Sequence, residues 1–371
     1  METAAIAEVE AFVAQVTARQ SAAAPGGVVN SFWVDVDALP AFQRIALRST
    51  FTYLTGVSPY EAGVSTRLED AYLAASSTLR AALPARSRSI WAVVPDWAYR
   101  HLTPLGRSEA RATRAAHVVA RIAVAAARPD SPLAAIMTQH RGSLDDLHAA
   151  ATLLFAGHDT QGATLAWCAL RLGHDVEWQA KLRAAMRARG SEDTADAMLD
   201  ATIKETLRLH PPAPLVVRAL HGSYAAPTVP ASASPASFAD QKQQLAMPAG
   251  GAAAIWLYAV HRDGACWGSD ADEFVPGRWL PSSGSRNPPG GEAAYMPFAA
   301  GARTCPGAAL AIAALRRSVA VLVSHLEWTL LDADSGGDGD SSAFLRRVLH
   351  PSVGFTVNPA HGVNIRVRPV T

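Results

Sequence analysis

The decapeptide Phe298-Ala-Ala-Gly301-Ala-Arg303-Thr-Cys305-Pro-Gly307, running straight into the apolar stretch Ala308–Leu326, leaves this chain few architectures. Alanine, leucine and valine recurring every three or four residues predict a core helix over that stretch, so Cys305 stands just ahead of a helix N-terminus. Unpaired backbone N–H groups and the positive end of the helix dipole stabilise a thiolate there. A free thiol ionises near pH ~8.5, so a metal or such a field is needed to hold it charged at neutral pH. Gly301 and Gly307 let the backbone approach a bulky planar ligand. Arg303, two residues from the sulfur, is placed to pair with a carboxylate on that ligand.

Composition excludes several other classes. The three cysteines, Cys168, Cys266 and Cys305, lie far apart and form no CxxC pair, which argues against a disulfide scaffold or a structural zinc site and favours a reducing compartment. The 371 residues are 49% hydrophobic and 18% charged, enough apolar material for a large core. With 33 basic and 32 acidic residues, no global field gathers nucleic acid or an anionic membrane. Glu2, Glu8 and Glu10 interrupt an alanine-rich N-terminus that lacks the basic start of a secretory signal. No window of 18 uninterrupted apolar residues occurs, Val118–Ala127 being broken by Arg121, so no transmembrane segment is expected. These features leave the compartment open between the cytoplasm and the periphery of a membrane.

Residues 1–210 read mostly as helix. The longest candidate runs from Leu144 to about Arg171, opened by a capping box of Ser143 and Asp146. A second, Ala197–His210, stops at Pro211-Pro212, because proline lacks a donor and pushes its predecessor out of the helical region. Extended pieces follow at Leu215–Leu220 and Ala253–Val260, and strand-like alternation at Ser352–Val367. Loop insertions are expected at 222–244 and 332–342, from their Pro, Ser, Gln, Asp and Gly content. The class is mainly α with a minor β component.

Two further groups carry chemistry. Ala156-Gly157-His158-Asp159-Thr160 lies in the middle of the long helix, where a glycine costs about 1 kcal/mol and an Asp-Thr pair competes with the backbone ladder; a local opening is expected. Glu205 and Arg208, at i and i+3, share a helix face and can pair.

The cysteine loop resembles the haem-binding signature of the cytochrome P-450 family, FxxGxRxCxG, with all five fixed positions matched. The pentapeptide at 156–160, the ExxR pair Glu205 and Arg208, and the later Arg278 in Pro276-Gly277-Arg278-Trp279 follow in the family's order. The resemblance implies that Cys305 is the axial thiolate of haem b, that Arg303 and Arg218 hold its propionates, and that Phe298, Gly301, Gly307, Ala156 and Gly157 surround the ring. It implies Asp159 and Thr160 as the proton relay, and a buried trio of Glu205, Arg208 and Arg278 bracing the loop. The implied activity is insertion of one oxygen atom of dioxygen into a hydrophobic small molecule. Electrons would come from NADPH through a flavoprotein reductase or ferredoxin, with Arg316 and Arg317 as docking cations.

The expected substrate lining is Leu154, Phe155, Ala156, Thr160, Leu215, Val216 and Phe355. The whole chain, 1–371, is expected to form one haem-thiolate domain with the family's cytochrome P-450 fold. That domain is expected to be N-terminally incomplete, because residues 1–143 match only loosely and no WxxxR helix precedes them in a suitable position. Two alternatives stay open: a catalytically inactive or haem-free truncated relative, and a haem-thiolate isomerase or dehydratase acting on oxygenated lipids.

Overall fold

Helix dominates the first two thirds of the chain because its apolar residues recur at helical spacing and its breaks carry proline or glycine. The computed structural model describes residues 2–23, 33–87, 94–140, 144–188, 192–225, 246–280, 291, 294–331 and 341–370. The N-terminal elements are α1 (Glu2–Ala23), β1 (Val34–Asp37), α2 (Leu39–Thr55), α3 (Thr66–Ser87), α4 (Asp96–Leu102), α5 (Pro104–Ala126) and α6 (Pro132–His140). The long helix α7 (Leu144–His174), α8 (Val176–Arg187) and α9 (Glu192–Leu209) follow. Next come the strands β2 (Leu215–Ala219), β3 (Tyr224–Ala225), β4 (Ala246–Met247) and β5 (Ala252–Trp256), then two short helices, α10 (Leu257–Val260) and α11 (Gly264–Trp267). The chain ends with α12 (Ala308–His325), β6 (Leu326–Leu330), α13 (Ser341–Val348), β7 (Pro351–Val353), β8 (Val357–Pro359) and β9 (Asn364–Pro369).

Helix α7 is the axis of the molecule. Its first half buries Ala150 and Leu154 against Leu47, Phe51 and Leu54 of α2, Tyr72 of α3, Val119 and Ala123 of α5 and Leu133 of α6. Its second half, Leu165–Leu172, is buried on all sides among α1, α2, α8, α9, α12 and the strands β6 and β9. Each large aliphatic side chain removed from water contributes about 1.5–3 kcal/mol, so a helix buried all round is anchored along its whole length. Trp167 locks it to the C-terminal strands, its indole N–H donating to the Val357 carbonyl at 3.0 Å while its ring stacks on His210 at 3.6 Å.

The structure corrects the sequence reading in several places. A strand, β1, lies in the region read as helical; Val-Asp-Val-Asp alternates at period two, and β1 pairs antiparallel with β9, Val34 opposite Val367 and Val36 opposite Ile365. Strand β6 flanks β9 on the other side. Leu257–Val260, read as extended, is a turn of helix, while β2 and β5 pair as a two-stranded sheet, Leu215 opposite Trp256. Within the insertion expected at 222–244, Tyr224–Ala225 is a strand paired with β4; residues 226–245 lie outside the described residues. The same holds for 332–340 of the loop expected at 332–342, its last two residues opening α13, and for Ser143 of the expected capping box. Helix α12 is long and apolar enough to cross a membrane by length and composition. Here its inner stripe of Ala314, Leu315, Val319, Leu322 and Val323 is buried in the protein core, and Arg316 forms ion pairs with Asp196 and Asp200 of α9.

Candidate active site

Pro211-Pro212 ends α9 and sends the chain into β2, so that β2, the middle of α7 and the start of α12 enclose a cavity of about 590 Å³. Ala156, Gly157, Thr160, Gln161 and Thr164 of α7 form one wall. Pro297, Phe298, Arg303, Cys305 and Gly307 form the facing wall, with Leu310, Ala311 and Leu315 of α12 behind them and Leu215 to Arg218 of β2 along the side. Thr50, Tyr53 and Leu54 of α2 and Pro132 and Ile136 of the α6 segment also reach it. No motif in the first 143 residues marks these last positions; they arrive by packing alone.

The loop that carries Cys305 is tied by its own backbone. The Cys305 N–H donates to the Phe298 carbonyl at 2.9 Å, the Thr304 N–H to Gly301 at 3.0 Å and the Ala311 N–H to Gly307 at 2.8 Å. Gly301 has φ +73°, a left-handed conformation that costs a residue with a side chain about 1 kcal/mol or more. Ala299 bears that cost at φ +60°, held there by the Ala299 N–H bond to Met296 at 2.9 Å. Gly307 is in ordinary backbone at φ −92°; a side chain there would meet only the Cys305 sulfur, 3.9 Å away, and open cavity beyond.

Behind the loop, Glu205, Arg208 and Arg278 come together. The Glu205 carboxylate, fully buried, accepts from Arg208 Nε at 2.9 Å and Nη2 at 2.8 Å, from Arg278 Nε at 3.0 Å, from the Trp279 indole at 2.8 Å and from the Val275 N–H at 2.9 Å. Arg208 spends its remaining donors on the carbonyls of His261 at 2.8 Å, Ala271 at 2.5 Å and Glu273 at 2.8 Å. His261, at the end of α10, completes the connection. Its Nδ1 faces the Arg208 carbonyl at 3.1 Å and its Nε2 accepts from the Met296 N–H at 3.1 Å. Burial pushes its pKa down to about 4, so it is neutral and joins the charge cluster to the root of the cysteine loop.

The opposite wall departs from expectation. Helix α7 is continuous through 156–160 rather than opened. Its Gly157 serves close packing instead: a Cβ there would stand 2.5 Å from the Thr50 methyl of α2. The Thr160 hydroxyl donates to the Ala156 carbonyl at 2.8 Å and lines the cavity. Asp159 does not. It is buried on the far side of the helix, ion-paired with Arg80 of α3 and accepting from the Thr356 hydroxyl at 2.8 Å, because Arg80, far away in sequence, supplies the nearest cation. His158 is buried between the rings of Tyr72 and Phe155, its Nδ1 on the Leu154 carbonyl, and burial lowers its pKa. Of the expected substrate lining, Ala156, Thr160, Leu215 and Val216 reach the cavity. Leu154 is in the core and Phe155 packs on Phe355, which is half exposed.

The cavity suits a large, flat, mostly apolar group bearing carboxylates. Among the described residues, Arg303, exposed at the cavity rim, has no carboxylate partner, and Arg218 donates only to the Val217 carbonyl. Two such guanidiniums on an otherwise apolar cavity containing a thiol fit haem, whose propionates and iron supply what they lack. Residues 133–355 match the family model of cytochrome P450. The chain belongs to the cytochrome P450 family. Among curated P450 proteins, it is 31% identical over 225 residues to cytochrome P450 714A2 of Arabidopsis thaliana, covering 58% of this chain and 37% of that protein. It is 35% identical over 190 residues to cytochrome P450 78A1 of Zea mays, covering 48% and 32%. To a cytokinin hydroxylase of Arabidopsis thaliana it is 30% identical over 231 residues, covering 59% and 38%. The matched regions thus span about a third of the length of these P450 relatives. Members of the P450 family bind haem b and receive electrons from NAD(P)H through reductase partners.

Proposed function

We propose that this P450 chain forms a single haem-thiolate domain and acts as a monooxygenase on a hydrophobic small molecule. The observation that carries this is Cys305 opening into an apolar cavity between two carboxylate-seeking arginines, on a loop braced by a fully buried ion cluster. Cys305 would ligate the iron, Arg303 and Arg218 would hold the propionates, and Phe298, Gly301, Gly307, Ala156 and Gly157 would line the ring. When bound, a thiolate-ligated haem supplies dioxygen activation.

The chain's own residues do the rest. Leu215, Val216 and the α7 wall exclude water and hold the substrate, each buried CH₂ contributing about 0.8 kcal/mol. Thr160 presents a hydroxyl to the cavity, with Thr164 one turn on. Asp159 serves as proton relay once released from Arg80 and Thr356. Electrons would arrive from NADPH through a flavoprotein reductase or a ferredoxin. Arg316 contributes little to that docking, since Asp196 and Asp200 already neutralise it.

The test is the absorption spectrum of the haem-reconstituted chain, reduced and exposed to carbon monoxide, beside Cys305→Ala. A strongly red-shifted Soret band that disappears in the variant is expected. A band unchanged in the variant, or none in either, overturns the reading in favour of an inactive or haem-free relative. A second reading, an isomerase or dehydratase of oxygenated lipids, is favoured by one observation, the withdrawal of Asp159 into its ion pair. Turnover of such a lipid without dioxygen or reductant would select it.

A further inference from the structure

The C-terminal hairpin acts on Asp159 through one side chain. Thr356 stands on the turn between β7 and β8. Its neighbour Val357 is tied on both sides, the N–H donating to the Pro212 carbonyl at 3.0 Å and the carbonyl accepting from the Trp167 indole at 3.0 Å. Phe355, before it, packs on Phe155 of α7. The turn is thus pinned to α7 and to the segment after α9, and Thr356 has little but its side-chain torsion left to choose. Its hydroxyl donates to Asp159 Oδ2 at 2.8 Å and accepts from Asn358 Nδ2 at 2.7 Å. An amide nitrogen only donates, so the hydroxyl proton is committed to the carboxylate and the three groups form a chain polarised in one direction.

Asp159 is therefore held twice, and the two holds differ. Arg80, on the other carboxylate oxygen, keeps 17% of its side chain exposed, so its guanidinium can exchange the carboxylate for water, and salt weakens the pair. Thr356 cannot make that exchange. It is 2% exposed, and turning Asp159 away strands its hydroxyl proton without an acceptor. Two further ionisable side chains lie near Asp159 without bonding to it: the Tyr72 hydroxyl has no partner, and His158 turns its Nδ1 to the Leu154 carbonyl. We propose that Thr356, kept in place by Asn358, is the positioning residue that holds Asp159 out of the cavity, so that the C-terminal hairpin and not the ion pair alone sets when this acid is free to work. The consequence for activity rests on the reading of Asp159 as proton relay; the hold itself does not.

The test has one arm without haem and one with it. In urea unfolding of the full chain, Thr356→Val, Asp159→Asn and their combination form a double-mutant cycle. A coupling of about tenfold in the unfolding equilibrium is expected, the factor that a hydrogen bond to a charged group contributes. Thr356→Ser, which keeps the hydroxyl, should behave as the unsubstituted chain. Asn358→Ala, which leaves the hydroxyl unanchored, should couple to Asp159→Asn by a smaller factor and serves if circular dichroism finds Thr356→Val unfolded. In the second arm, the haem-loaded chain is reduced with dithionite and mixed with dioxygen, without substrate or reductase, and its return to the ferric spectrum is timed. Thr356→Val should speed that return by up to about tenfold, Thr356→Ser should not, and Thr356→Val should have no effect in the Asp159→Asn background. Additive cycles for both Thr356→Val and Asn358→Ala, or equal acceleration with and without Asp159→Asn, would overturn the proposal. A return rate indifferent to Asp159→Asn, with the carbon monoxide band intact, would overturn the relay reading instead and leave the hold to be decided by the cycle.

Discussion

The two walls of the cavity are built on different terms. On the cysteine side, one carboxylate, Glu205, receives five donors within 3.0 Å, and Arg208 and His261 carry that order to the loop through short, buried bonds. On the α7 side, the acid expected to work in the cavity is turned out of it by Arg80 and Thr356, and the helix is unbroken. A site that must hold a reactive ligand in place can be rigid, because every buried charge there is already compensated. A group that must move protons cannot be locked in the same way. The contrast therefore separates a wall whose buried charges are compensated around one carboxylate from a wall whose acid is compensated outside the cavity.

The comparison breaks most directly at Glu205. Glu205→Ala strands the fully buried Arg208 and should cost roughly 3–5 kcal/mol, read as a lowered midpoint in urea unfolding. A loss of under about 1 kcal/mol would mean that the cluster does not brace the cysteine wall.

Acid probes the same wall more gently. His261 is held neutral with its pKa down at about 4 against an unfolded value of 6.5. The unfolded chain binds the extra proton first, so the stability it contributes is complete above about pH 6.5 and is lost as pH falls towards 4. His210 and His158, both lowered by burial, act in the same direction. Unfolding midpoints from pH 7 to pH 4 should decline, and His261→Gln, which keeps a donor and an acceptor, should flatten the curve.

The α7 wall should yield differently. Gly157→Ala pushes a methyl into Thr50 and should cost about 1–3 kcal/mol by overpacking; pairing it with Thr50→Ser should restore part of that loss. Thr160→Val removes one hydroxyl that is bonded only within its own helix and should change stability by less than about 1 kcal/mol. If haem loading holds, its effect belongs in the fraction of reducing equivalents that reach product.

Legibility followed sequence distance. Cys305, its flanking glycines and Arg303 sit within ten residues, and Glu205 and Arg208 within one helical turn, so spacing alone brings each group onto one loop or one face. Asp159 looked equally local, yet its partners Arg80 and Thr356 stand 79 and 197 residues away, and no periodicity predicts that meeting. Strand β1 is illegible in the sequence for the same reason: four alternating residues are a weak signal until β9, at the far end of the chain, supplies their hydrogen bonds. Net charge misled in its own way. Near neutrality over the whole chain speaks only to a global field and is blind to a helix, α5, that collects four arginines on one face.

By itself, the sequence determined the helical class, the position of the thiol before its helix, and the residues able to compensate one another across a turn, since these depend on dihedral preference and on neighbours a few residues apart. Only the tertiary structure decided which way Asp159 points, that Gly157 makes room for α2 rather than for a kink, and that α2 and α6 help to wall the cavity. Those outcomes rest on burial, where a charge takes whichever partner packing brings within reach and a helix bends only if its neighbours leave space.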